Sequence, residues 1–138
     1  MSSPFESATL LLSLYELRRE DTMREARTWF AQRFNPTTFD EAMQITPQEN
    51  AYFRMVSSYW DMACSFVLNG AIDEKMFTDA NGEYIVVYCK IEPFIDDLRK
   101  MMNNPNYLNN LKTLAERIPD SKARLAAFRE RFRAMAAK

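Results

Sequence analysis

Only two glycines, Gly70 and Gly82, occur in 138 residues, and runs of Ala, Leu, Met, Arg and Glu surround them. A β fold turns often and needs residues that accept positive φ, so this scarcity selects helices. It also leaves no glycine-rich phosphate loop. Hydrophobic residues make up 47% of the chain and include ten Phe, nine Met and six Tyr. A disordered chain lacks such aromatics, and the length suits one core, so 1–138 reads as a single helical domain.

Helix punctuation supports this reading. Ser3-Pro-Phe-Glu6 and Thr46-Pro-Gln-Glu49 each place a hydroxyl cap, a proline and a returning carboxylate at a helix start. From the first start, Phe5, Ala8, Leu12, Tyr15, Thr22, Ala26 and Trp29 keep a heptad spacing, interrupted at Arg19. This predicts one long N-terminal helix running to about Phe34, where Asn35-Pro36 stops it. From the second start, Phe53, Val56, Trp60, Ala63, Cys64 and Val67 form the buried stripe of a central helix ending at Asn69-Gly70.

A short helix is expected between Thr38 and Ile45, and another from Asp73 through Phe77. A helix kinked at Pro93 is expected over Tyr84–Met102, since Tyr84, Val87, Ile91, Leu98 and Met101 recur at helical spacing. Tyr107–Ile118 and a last helix from Asp120 or Ser121 complete an all-α bundle of about five to seven helices.

Several chemistries are excluded. Histidine is absent, which removes His-based triads and di-iron Glu-x-x-His bundles. Cys64 and Cys89 lie mid-helix in apolar segments and read as reduced, buried thiols of a cytoplasmic protein. Asp79-Ala-Asn-Gly82 imitates the middle of a calcium loop, but the first and twelfth ligand positions fall on Phe77 and Tyr88. It reads as a tight turn in which Asn81 or Gly82 takes positive φ. No cofactor is expected.

Net charge is −1, although Arg117–Lys138 carries +5 and the preceding residues −6. The last helix sets Leu125, Phe128, Phe132 and Met135 between arginines, a pattern that suits anionic lipid, phosphate or its own bundle. We expect it to pack in the bundle with Arg129 and Arg133 in water. Reversing both charges should then cost no more than about 0.5 kcal/mol each. Nucleic-acid binding is not expected, because no reader motif accompanies the charge. The apolar run Ala8–Leu17 is too short to span a bilayer, so no integral membrane insertion is expected either.

Two surfaces stand out as candidate sites. On the central helix, Arg54, Ser58 and Asp61 share a polar face, and Asp61 has a possible basic partner in Arg99. Near the start, Leu10, Leu11, Leu14 and Leu17 make the first helix apolar on nearly every side, which calls for a second layer or a second chain.

The strings SLYELRRE, REARTWF…FNP, YWDMACSFVLNGAIDEKMF and KIEPFIDDLRK resemble a bacterial family of small helical proteins of unknown function, over roughly Leu10–Lys100. Some of its members carry an N-terminal membrane helix ahead of the same helices. The resemblance implies an all-helical fold and transfers no catalytic residue.

The leading expectation is a non-enzymatic protein–protein interaction module that forms a homodimer. The alternative is a bundle holding a small apolar or lipid-like ligand, in a cavity lined by residues such as Met55, Met62, Phe66 and Tyr88. An enzyme would need converging carboxylates such as Asp61, Asp96 and Asp97 beside Arg99.

Overall fold

The computed structural model of the protein describes residues 2–137. Both capping boxes close as their sequence dictates. In α1 (Pro4–Arg18), Ser3 N donates to Glu6 Oε1 at 3.0 Å and Glu6 N donates back to Ser3 Oγ at 3.1 Å. In α4 (Pro47–Leu68), Thr46 and Glu49 exchange the same pair of bonds at 2.9 and 3.1 Å.

The long N-terminal helix is divided. A break at Arg19-Glu20 separates α1 from α2 (Asp21–Gln32), and the Glu20 carboxylate caps the new start by accepting from Thr22 N and Met23 N. One straight helix could not turn both apolar stripes inward. Division lets α1 bury Leu14 while α2 buries Met23, Ala26, Trp29 and Phe30. The heptad stripe is therefore split: its α2 members Ala26 and Trp29 are buried, while Phe5 and Leu12 on α1 are 82% and 66% exposed.

The central helix is confirmed. Phe53, Val56, Trp60, Ala63, Cys64 and Val67 are all buried on α4, and α2 packs along it. Between them Trp29, Phe30, Phe34 and Phe53 form an aromatic cluster with ring centroids 5.0–6.1 Å apart. Trp29 Nε1 donates to Glu49 Oε2 at 2.7 Å, so the residue that completes the α4 cap also ties α2 to it.

The remaining elements wrap this pair. After α3 (Phe39–Met43) and α4 come α5 (Glu74–Ala80) and α6 (Glu83–Ile91), then a 3-10 turn at Glu92–Phe94 where Pro93 interrupts the ladder. Then follow α7 (Ile95–Met101), α8 (Asn109–Ala115) and α9 (Ser121–Ala136). No strand occurs among the described residues, and the fold is all-α. No helix among them is long and apolar enough to cross a membrane.

The α5–α6 connection corrects the turn expectation. Asn81 and Gly82 both have negative φ, −136° and −124°. Asp79 and Ala80 belong to α5, the chain leaves that helix extended at Asn81, and Gly82 is the residue before α6. The Asn81 side chain holds this path, donating to Phe77 O and accepting from Arg18.

α9 packs along α6 with Leu125 fully buried and Phe128 half-buried against the core. Its arginines do not all reach water, which corrects the sequence expectation. Arg129 NH1 donates to Cys89 O at 2.6 Å and to Glu92 Oε1 at 3.2 Å. Arg133 NH2 donates to Pro36 O at 3.0 Å. These long stems reach across from α9 to α6 and to the loop after α2, where they satisfy backbone carbonyls.

Candidate functional site

The polar face expected on α4 is disassembled by its neighbours. Asp61 accepts from Leu111 N at 2.9 Å and Asn110 Nδ2 at 3.4 Å, capping the start of α8 from another helix. Arg99 Nε donates to Tyr107 O at 3.0 Å. Ser58 turns back to Met55 O on its own helix, and Arg54 is exposed. No hydrogen bond or ion pair among the described residues joins Asp61 to Arg99, and Asp96 and Asp97 are exposed on α7. The set is a helix cap and a loop clamp.

The leucines of α1 part in the same way. Leu14 is buried, and its carbonyl accepts from Tyr59 Oη at 2.6 Å. Leu10 and Leu11 are half-buried against the core, while Leu17 is exposed. What α1 presents outward is Phe5, Leu12 and Tyr15, one helical stripe.

A charged knot lies where α1, α2, α4 and α6 meet. Glu83 opens α6 and receives a forked pair from Arg27, Nε at 3.0 Å and NH2 at 2.9 Å, and Trp60 Nε1 at 2.8 Å. The hydrogen bonds to Glu83 hold the Arg27 guanidinium above its usual pKa. Arg18 stacks over Trp60 with its Cζ 5.2 Å from the ring and donates to Asn81 Oδ1 at 2.9 Å. Every oxygen of Glu83 is engaged, so this cluster is a fastening between helices.

The sequence reading passed over Lys90, which the structure buries to 2% exposure. Its Nζ donates to Phe30 O at 2.8 Å and Ala31 O at 2.9 Å, capping the C-terminal end of α2, and lies 4.8 Å from the Phe132 ring centroid. No carboxylate pairs with it among the described residues. Its only sequence signal is a lysine inside the apolar run Tyr84–Ile91.

Burial pushes the Lys90 ammonium down to a pKa of about 8. The unfolded chain keeps this proton to about pH 10.4. Between about pH 8 and 10.5 the unfolded state therefore binds more protons, and the folded state gains stability as pH rises. Below pH 8 the burial cost is carried in full. Wild type measured against Lys90→Met by urea denaturation should gain up to about 3 kcal/mol across that window. A flat difference would mean that the amine stays charged throughout.

The two thiols are buried. Burial raises Cys64 far above the usual thiol range and Cys89 to about 11. Both are free.

The concave site is elsewhere: a cavity of about 460 Å³ between α3, α4, α6 and α7. Phe34, Ala42, Phe53, Ile91, Phe94 and Leu98 form its buried floor. Met43, Met101 and Met102 stand exposed at its rim with Thr46, Asn50 and Arg54. The residues expected to line such a cavity do not. Tyr88 is fully buried, Met62 is exposed, and Met55 and Phe66 pack on other faces of α4. The floor comes from four separated stretches, at Phe34, Ala42, Phe53 and Ile91–Leu98, so no single local pattern in the chain marks it.

Fold and site together define an all-α helical bundle with an apolar cavity between α3, α4, α6 and α7. The chain matches the family described as a domain of unknown function, DUF4760, over residues 4–118, and belongs to that family. The matched span ends before α9. No curated protein and no solved structure matches it.

Proposed function

We propose that the protein is a non-enzymatic binding module that takes one small apolar, lipid-like molecule into the cavity between α3, α4, α6 and α7. The observation that carries this reading is the cavity itself. At about 460 Å³ it falls within the range of about 300–1,000 Å³ that ligand pockets occupy. Aromatic and aliphatic side chains make its floor, and three flexible methionines stand at its mouth, where they can adapt to an entering chain. Its buried thiols suit a reducing, cytoplasmic setting.

The neutral fluorophore N-phenyl-1-naphthylamine should bind with a blue-shifted emission. Ala42→Leu, or the less buried change Ile45→Phe, narrows the cavity and should weaken binding about tenfold. Undiminished fluorescence in both folded variants would place the probe elsewhere and remove the cavity from the reading.

A second reading, self-association as a homodimer, is supported by the outward stripe of α1. Phe5, Leu12 and Tyr15 are 82%, 66% and 50% exposed along one face. Light scattering after size exclusion should give twice the 16.2 kDa chain mass at tens of micromolar protein, and Phe5→Lys with Leu12→Lys should halve it. A monomer in the wild type would dispose of this reading.

A further inference from the structure

We propose that the ligand of the cavity is a single-chain amphipathic carboxylate, its tail on the apolar floor and its head group on Arg54. The inference rests on the cavity reading above and specifies the class of molecule.

One wall of the cavity is polar and ordered. Asn50 and Arg54 stand four residues apart on α4, just beyond its N-cap Thr46, so their two side chains share one line on the helix. Thr46 is committed as the cap of α4, accepting from Glu49 N. Asn50 and Arg54 make no side-chain hydrogen bond to any described residue, and Arg54 enters no ion pair. Arg54 is also the one charged residue among the described residues that line the cavity.

The nearest acids along the helix are occupied. Glu49 is held by Trp29 and Thr46, and Asp61 by α8. An uncompensated cation at the mouth of an apolar hollow selects an anion whose remaining surface is apolar. The six buried floor residues carry no polar side chain and the half-buried Tyr107 adds only a neutral hydroxyl to the wall, so the charged end of a ligand stays at the rim beside Arg54. A guanidinium fork matches the two oxygens of a carboxylate. The volume, near the lower end of the ligand-pocket range, suits one tail.

Calorimetric titration of the full chain below the micelle concentration decides the matter, using decanoate, 1-decanol and decylamine at 50 and 500 mM salt. Decanoate should bind about tenfold more tightly than decanol, the scale of one charge-assisted hydrogen bond, and decylamine most weakly. High salt should reduce the preference for decanoate. Arg54→Gln should weaken decanoate about tenfold and leave decanol within twofold. Equal binding of decanol and decanoate by the wild type, with decanol displaced by N-phenyl-1-naphthylamine, would overturn the head-group assignment and leave the cavity reading intact. Failure of all three ligands and of the fluorophore would end both. The wild-type comparison stands without any variant.

Discussion

Replacing Arg129 and Arg133 together by glutamate should destabilise the protein by on the order of 3–5 kcal/mol, a large part of the stability of a domain this size. The Arg129 side chain is only 16% exposed and bonds both Cys89 O and the Glu92 carboxylate. A glutamate at 129 removes both bonds and sets a second negative charge beside Glu92. Arg133→Glu alone should cost about 1 kcal/mol, because it frees one carbonyl, that of Pro36. Its ion pair with the exposed Glu130 contributes little. Urea denaturation of the single and double variants measures these costs. A double variant within 1 kcal/mol of wild type would show that α9 does not fasten through its arginines.

This expectation reverses the one drawn from sequence, and the reason is geometric. Periodicity assigned the first part of the apolar stripe of α9 correctly, since Leu125 is buried and Phe128 packs on the core, whereas Met135 at its end is 59% exposed. It could not say where an arginine beside that stripe places its guanidinium, which lies several bonds from the backbone. The acceptors are carbonyls at Pro36 and Cys89, far away in the chain. The same difficulty hid Lys90, whose partners are the last carbonyls of α2.

Where the signal is local, the sequence was legible. Ser3 and Thr46 announced their capping boxes, and the stripe of α4 is buried at every position named from its spacing. The break at Arg19-Glu20 was marked only by the interruption of the heptad at Arg19, because no proline, glycine or hydroxyl cap stands there and a glutamate does the capping. Two later helices, α8 and α9, are preceded by Leu108 and Asp120 in left-handed conformations, at φ 57° and 53°. A leucine rarely adopts that conformation, so the start of α8 at Asn109 was invisible. The cavity is the extreme case: Phe34, Phe53, Ile91 and Leu98 meet only when the loop after α2 and the helices α4, α6 and α7 have packed.

Trp60→Ala should cost about 3–5 kcal/mol, the range for emptying an aromatic site in a closed core. Trp60 is 1% exposed and occupies the centre of the bundle. Its ring meets Tyr59 edge-on at 5.0 Å and approaches Phe77 and Tyr84 at 6.4 and 6.5 Å. One face carries the Arg18 guanidinium, and its indole N–H holds Glu83. Truncation therefore empties a space that α1, α4, α5 and α6 enclose and leaves Arg18 without its ring. The hydrogen bond is the smaller part of the loss. Arg27 still holds Glu83 by its fork, so Trp60→Phe, which keeps most of the packing, should cost only about 1–2 kcal/mol. Trp29 remains as a fluorescence reporter in both variants. Chemical denaturation should rank wild type above Trp60→Phe and Trp60→Ala far below. A loss under about 1 kcal/mol for the alanine variant would mean that the face of α4 turned toward α6 is not the core. Equal losses for both variants would make the bond to Glu83, rather than the packed ring, the reason the four helices hold together.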